Sequence, residues 1–366
     1  MSQNPFSRLC RVAVAFAASC LIFTYSCDDD VTGMHDQCKN TPIASSLSRV
    51  FYWGDDGSSS WVANQGRIEG SGTFVQWITP SGIVFATETV VNGVSVQGIA
   101  ELHVDSADSV LATNVYDFVP KIWDLRAGNA PQDLLVLFFQ NGSSDAPTLG
   151  RLRLELSSAV VDSVILDESW NPRGVAPCPF DSSLIVCAKK PGDELKGIYR
   201  LKEVNGSVTD SLLFDCEITD IGARSMDVAA NRKLYFVSHQ AGAGGRIAKT
   251  QIICFDLASP GSLPLVVAER SGEVDRIAVD PTNSSRLLLH RSVQNDLGIV
   301  SQNVIEIFDV TTSTFTGLNV RTSRAECRVT RNHFPDWKPD GSAIVFPGWS
   351  SDGKTEFPSS IWRLNM

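Results

Sequence analysis

Two histidines are the residues whose type and spacing best suit a shared chemical site. His239 in "FVSHQ" and His290 in "LLLHRS" each follow an apolar run, and they lie 51 positions apart. Imidazole nitrogens bind metals and exchange protons near neutral pH. If the two apolar runs end at one place, the pair can bind a ligand; if not, both histidines simply line loops. Because no third ligand can be assigned, the sequence predicts binding residues here but no metal centre.

Other motifs of catalysis are missing from the sequence. There is no Gly-x-Ser-x-Gly elbow for a serine nucleophile and no Cys-x-x-Cys pair for zinc. The glycine-rich "AGAGGR" at 241–246 lies between two predicted strands, whereas a phosphate cradle precedes a helix. We therefore expect no catalytic residue and no cofactor.

The first residues have the order of a secretory signal. Arg8 and Arg11 precede an apolar run over 12–23, and small or polar residues lead to Cys27. The run is shorter than the ~20 residues of a membrane span. "FTYSC" before "DDD" resembles a bacterial lipobox, although Thr24 replaces the usual leucine. This predicts a signal peptide at 1–26, a lipid on Cys27 and a tether at 27–45. A simple secretory signal or an uncleaved anchor is the alternative.

Charge restricts the partners. Without residues 1–26 the chain has 29 basic and 41 acidic residues, a balance of −12. Such an acidic surface repels phosphate backbones, so nucleic acid is excluded. Membrane attachment would come from the lipid.

The nine cysteines leave six after the signal and Cys27 are set aside. An even number in an exported chain is compatible with disulfides. We predict Cys178 with Cys187 across a hairpin, and Cys38 with Cys327 if the chain ends meet. Buried free thiols are the alternative.

An internal repeat determines the fold. Apolar strands start near Ile83, Leu135, Leu184, Leu234, Leu287 and Ile344, at steps of 49 to 57 residues. Second strands start near Ile99, Leu152, Ile198, Ile252, Ile305 and Ile361, at steps of 46 to 56. Each unit has room for two more strands and for Pro/Asp/Gly turns. This predicts an all-β, six-bladed β-propeller of four-stranded antiparallel blades over residues 46–366.

The final unit ends after its third strand, so the prediction needs a strand from elsewhere. Residues 48–64 precede the first repeat and contain strand-like apolar residues. We expect them to supply the outer strand of the last blade, which removes an exposed edge.

The repeats carry a family resemblance. "WKPDGSAIVF" from Trp337 and the weaker "WITPSGIVF" from Trp77 resemble the Trp-x-Pro-Asp-Gly repeats of TolB-like propellers. The resemblance implies an envelope protein that docks other proteins, and only the last copy has the whole motif.

Together these features predict a non-catalytic lipoprotein of the bacterial envelope, on its periplasmic or surface side, or else secreted. It would be a monomer that docks an envelope protein through loops 239–249 and 347–358. Trp349, in the polar stretch "PGWSSDGK", is the predicted exposed contact. The alternatives are a propeller enzyme, either a polysaccharide lyase or a lactonase-like hydrolase with a metal in its funnel, and a carbohydrate-binding surface lipoprotein.

Overall fold

The structure is a computed structural model. It describes residues 47–52, 73–91, 94–104, 110–118, 120–130, 133–140, 146–156, 158–194, 196–204, 207–216, 221–242, 247–259, 261–294, 300–318, 328–330, 334–351 and 360–366. Within this part of the chain, no helix has the length and apolar character needed to cross a bilayer.

Five blades are consecutive four-stranded antiparallel sheets. Blade 1 comprises β2 (Thr73–Thr79), β3 (Gly82–Val91), β4 (Val94–Val104) and β5 (Val110–Asp117). Blade 2 comprises β6 (Lys121–Ala127), β7 (Leu134–Phe139), β8 (Thr148–Leu154) and β9 (Ala159–Leu166). A short 3-10 helix, Glu168–Trp170, leads to blade 3, which comprises β10 (Gly174–Pro177), β11 (Leu184–Ala188), β12 (Lys196–Val204) and β13 (Ser207–Cys216). Blade 4 comprises β14 (Ile221–Val228), β15 (Lys233–Ala241), β16 (Ile247–Asp256) and β17 (Leu265–Ser271). Blade 5 comprises β18 (Glu273–Asp280), β19 (Asn283–Gln294), β20 (Val300–Asp309) and β21 (Thr314–Gly317).

Blade 6 closes the ring with strands from both ends of the chain. It comprises β22 (Arg328–Thr330), β23 (Asp336–Trp337), β24 (Ala343–Ser351), β25 (Ser360–Asn365) and β1 (Leu47–Tyr52). β1 pairs with β25 from Leu47 opposite Leu364 to Tyr52 opposite Ser360. The predicted six-bladed propeller, completed by an N-terminal strand, is therefore confirmed. Residues 53–64 of the predicted closing segment lie outside the described residues.

The second strand of each blade explains why the repeat is visible in the sequence. β7 and β11 are buried at every position, because a neighbouring blade covers each face of the sheet. The outer strand β17 instead has only exposed and half-buried residues. Strands buried on both faces are continuous apolar runs, and these runs carry the period.

The innermost strands contact one another in chain order, and β2 contacts β23 and β24. The core lies between the blades. Trp337 of blade 6 packs against blade 5 and donates its indole N–H to the Ala278 carbonyl at 3.2 Å. Trp77 of blade 1 packs with Val345 and Ile361 of blade 6. The two tryptophans of the repeat motif therefore join blades.

Candidate functional site

The predicted histidines converge on one carboxylate. Every innermost strand starts at the end of the propeller where the second strands finish, so β15, β18 and β19 bring residues together there. His290 Nδ1 lies 3.4 Å from Asp275 Oδ2. His239 Nε2 is 3.1 Å from the Val274 carbonyl oxygen, and its charge acts on Asp275. Glu273, Asp275, His239, His290 and Ser292 are named the Asp275 cluster below.

A β-bulge places Asp275 in the cluster. Val274 is opposite Arg291 and Arg276 is opposite His290, so Asp275 has no cross-strand partner. A bulge kinks a strand and re-aims the side chain of its extra residue. Here the carboxylate accepts a hydrogen bond of 2.7 Å from Ser292 Oγ. Ser292 and His290 are buried, whereas the Asp275 side chain keeps 22% of its exposure. The cluster is therefore a buried base of polar groups with one carboxylate open to solvent.

The cluster holds a proton near neutral pH. Burial is the main cause that raises the pKa of Asp275 to about 7, and the charge and hydrogen bond of Glu273 raise it further. The bond from Ser292 and the charge of His239 act in the opposite direction. A carboxyl group beside another carboxyl group is harder to ionise, which accounts for this part of the rise in the Asp275 pKa. Such a pair can bind a cationic or hydroxyl group, or transfer a proton.

The geometry is not that of a serine nucleophile. Ser292 Oγ donates to Asp275, so the carboxylate stands between the hydroxyl and His290. In a nucleophilic triad the imidazole contacts the hydroxyl directly. Across the described ranges, no group of three or more His, Cys, Asp or Glu side chains could hold a metal ion.

A second polar group, which the sequence interpretation missed, lies on the propeller axis. Its members are buried or half-buried and come from the innermost strands of five blades: Gln76, Asp124, Arg126, Asp227, Arg276 and Asp336. These six residues are named the axial cluster. A signal for three of them was present in the sequence, because Gln76, Asp227 and Asp336 each directly precede the apolar residue that pairs with the start of the second strand.

Three members of the axial cluster join neighbouring blades. Asp336 Oδ2 accepts from the Trp77 backbone N–H at 3.0 Å, across the seam where the ring closes. Asp227 Oδ2 accepts from the Val279 N–H at 2.7 Å, and Gln76 Oε1 from the Ala127 N–H at 3.3 Å. Each bond satisfies a backbone donor of one blade with a side chain of the preceding blade.

The other three members span the axis. Asp124 of blade 2 receives Arg126 Nε at 3.2 Å and Arg276 Nη1, from the opposite blade 5, at 3.5 Å. Burial, and then the charge of Arg126, lower the pKa of Arg276 to about 10. Burial also raises the pKa of Asp336 to about 6 and that of Asp227. The cluster therefore concentrates charge in a buried place, where each charge depends on its neighbours.

The remaining predicted residues have different outcomes. The predicted pairing of Cys178 with Cys187 is corrected: both are buried free thiols. The turn after β10 sets a register that puts Cys187 opposite Gly174, with Cys178 beyond the strand. Burial raises the pKa of Cys178 to about 11 and that of Cys187 to about 12. Cys27, Cys38 and Cys327 lie outside the described residues.

Trp349 was expected in a polar loop, but it belongs to β24, which continues to Ser351. Trp349 pairs with Thr330 of β22. The first part of the predicted loop 347–358 is therefore strand, paired with β22. The Trp349 side chain lies outside the description. The predicted loop 239–249 is shorter as well, since β15 continues to Ala241 and β16 begins at Ile247.

Comparison with known proteins gives similarities of structure only. No protein-family model matches the chain, and no curated protein matches it. A calcium-binding protein, regucalcin from Agrobacterium tumefaciens str. C58, aligns over 81% of this chain and 93% of its own, with 13% identity and a TM-score of 0.45. A protein from Lactobacillus plantarum aligns over 76% of this chain and 82% of its own, with 12% identity and a TM-score of 0.39.

Proposed function

We propose that the chain is a non-catalytic lipoprotein of the bacterial envelope, whose propeller docks a partner protein at the end that carries the Asp275 cluster. The signal-like residues 1–26 and Cys27 support export and lipid attachment. The Trp337-Lys338-Pro339-Asp340-Gly341 turn supports a docking role through its resemblance to TolB-like repeats.

The register of β1 is the observation that carries the proposal. Leu47 is opposite Leu364, and β25 ends at Asn365, opposite Ala343, which follows the turn between β23 and β24. The chain therefore enters the last blade at the end where the first two strands of each blade are joined. Glu273 and Ser292 lie at the other end of their strands, away from the turn at Asp280–Asn283.

A lipid on Cys27 would thus hold the propeller from one end and present the Asp275 cluster at the other. The tether between Cys27 and Leu47 has room for ~60 Å when extended. Loops on a rigid scaffold are the usual binding surface of such folds. The carboxyl pair suits a lysine or arginine of the partner, because a cation between two carboxyl groups offsets their mutual repulsion.

Paired crosslinking tests the docking end. A photo-crosslinking residue is placed at the exposed Gln240, beside His239, or at the exposed Asn231, in the opposite turn of the same blade. We expect a discrete adduct in cells from position 240 and none from 231. The adduct should weaken when the cluster is neutralised by E273Q/D275N. An adduct from 231 alone, or one unaffected by E273Q/D275N, would contradict the proposed surface.

The anchor is tested separately with Cys27→Ser. The wild-type chain should incorporate labelled palmitate and fractionate with membranes, and the variant should do neither. Membrane retention of an unlabelled Cys27→Ser chain would instead favour an uncleaved anchor.

A second function, a propeller enzyme, is favoured by one observation: Asp275, whose pKa is raised to about 7, lies beside Glu273 and 3.4 Å from His290. Such a pair suits general acid–base cleavage of a sugar or lactone. Turnover of polysaccharides or lactones by the wild-type chain, and its loss in Asp275→Asn, would decide for this function over docking.

A further inference from the structure

One guanidinium on the propeller axis has its hydrogen-bonding edge unused. Arg276 is fully buried, and its Nη1 contacts Asp124 at 3.5 Å, which is long for a hydrogen bond. Its Nε and Nη2 have no hydrogen-bond partner among the residues that the structure describes. These two nitrogens share one edge of the planar group, the edge that pairs with both oxygens of a carboxylate.

The nearby carboxylates are already committed elsewhere. Asp124 Oδ1 accepts from the Leu125 N–H at 2.9 Å, and its Oδ2 accepts from Arg126. Asp227 accepts from the Val228 and Val279 N–H groups, and Asp336 accepts from the Trp77 N–H. Hydrogen bonds from backbone N–H groups thus fix the three carboxylates to their own blades or to neighbouring ones. The carboxylates balance the charge of Arg276, but none accepts a hydrogen bond from its Nε or Nη2.

Leaving charged donors buried without an acceptor is costly. Even a neutral donor costs about 1–3 kcal/mol when it is buried without a partner, and a charged one costs more. Substituting leucine or methionine at this position would avoid that cost. Among the described residues no acceptor reaches this fork edge, so the edge is available to a ligand.

We propose that Arg276 binds a small oxyanion of the carboxylate class, through Nε and Nη2, at the centre of the axial cluster. The site is separate from the proposed docking surface, and either can fail without the other. The oxyanion would accept two parallel hydrogen bonds from Arg276, with Arg126 as a second positive charge nearby.

Charge balance predicts how this binding depends on pH. The groups that face Arg276 are Arg126 and Asp124 on β6, Asp227 on β14 and Asp336 on β23. Three carboxylates against two guanidiniums leave one excess negative charge. Protonation of Asp336, whose pKa lies at about 6, removes that excess. The anion should therefore bind together with a proton, and more tightly at pH 5.5 than at pH 7.5.

Formate is the probe, because it is a carboxylate with no further groups. The melting temperature of the purified chain is measured in sodium formate and in sodium chloride at equal ionic strength. We expect a saturable rise of about 2 °C at tenfold excess over the dissociation constant, larger at pH 5.5 than at pH 7.5. The rise should vanish in Arg276→Lys, which keeps the charge but loses the fork. It should persist in Arg153→Lys, an exposed arginine of blade 2.

Diffraction from wild-type crystals grown with formate gives a test that needs no variant. Planar density with two oxygens within 3.2 Å of Nε and Nη2 would support the proposal. Ordered water alone on this edge, or a formate effect that is unchanged in Arg276→Lys, would overturn it.

Discussion

Two buried charge networks of this propeller look alike and differ in one respect. At the junction of blades 4 and 5, Glu306 is 1% exposed and is held by Arg270 through two bonds of 3.0 and 2.6 Å. Arg291 Nε adds a third bond at 3.1 Å, and the Arg270 guanidinium lies 4.1 Å from the centre of the Phe315 ring. On the axis, Arg276 is buried as deeply and has one long contact.

The difference separates structure from candidate function. A buried charge whose hydrogen bonds are all satisfied holds neighbouring blades together, and it has no free donor or acceptor for a ligand. A buried charge with an open edge destabilises the empty fold and has binding capacity in reserve. The Asp275 cluster resembles the axial cluster in this respect, because a single cation could bind between its two carboxyl groups.

The largest expected effect comes from opening the satisfied network. Glu306→Gln leaves two arginines facing a neutral amide, so we expect the free energy of unfolding to fall by about 3 kcal/mol. Urea denaturation measures it. Glu269→Gln, on the exposed face of β17 beside Lys249, is the control and should change little. An equal loss in both variants would show that burial does not distinguish these ion pairs.

Neutralising Asp336 of the axial cluster should raise the free energy of unfolding at neutral pH, whereas Glu306→Gln lowers it. The folded pKa of Asp336 lies at about 6, above the ordinary value of 3.8. Its contribution to stability is therefore complete below pH 3.8 and is lost as the pH rises through 6. Asp336→Asn removes this loss and can still accept the Trp77 N–H. We expect it to stabilise the fold by about 2 kcal/mol at pH 7.5, with no gain at pH 4.

The matched control for that titration is Asp340→Asn, in the turn next to β23. Hydrogen bonds from Ser342 lower the pKa of Asp340, so its contribution to stability is present above the ordinary pKa and is lost on acidification. Urea unfolding between pH 4 and 7.5 should show a stability difference from the wild type that grows with pH for Asp336→Asn and stays constant for Asp340→Asn. A difference that is constant with pH in both variants would mean that burial does not control Asp336.

The smallest effect tests backbone geometry rather than charge. Gly341 ends the Trp-Lys-Pro-Asp-Gly turn at a φ of 70°, and a Cβ there would lie 2.7 Å from Thr282 Oγ1 of blade 5. Gly341→Ala should cost about 1–2 kcal/mol of unfolding free energy. Gly317→Ala, where a Cβ would meet nothing within 4 Å, should be close to neutral. Similar melting temperatures for the two variants would contradict this.

The blades could be predicted from the sequence because the repeat consists of buried strand residues, and such residues must be apolar in every blade. Ile83, Leu234 and Ile344 are the second residues of the second strands in three blades and are all fully buried. The closing strand followed from the missing edge of the last unit. These predictions depend on packing, which repeats from blade to blade.

The site did not follow in the same way, because it depends on departures from the repeat. In blades 2 and 5 the positions that match Gln76 and Asp227 are Leu125 and Ala278, so Asp124 and Arg276 occupy other positions of the repeat. Asp275 is itself the extra residue of a bulge. Cys187 was paired wrongly with Cys178 because the hairpin register depends on turn geometry. The two histidines each follow an apolar run, five residues after Leu234 and three after Leu287, and they remain predicted binding residues.

The closing strand has a consequence for how the chain reaches its native state. β1 is made first and its partner β25 is made last, so the sheet that joins them has the longest sequence separation in the fold. Contacts of this kind pay the largest loop-closure entropy and form late. Blades 1 to 5 can each assemble from neighbouring strands as they emerge. A chain truncated before Ser360 would then carry five blades, an unpartnered first strand and two open edges, which favours pairing between copies over closure.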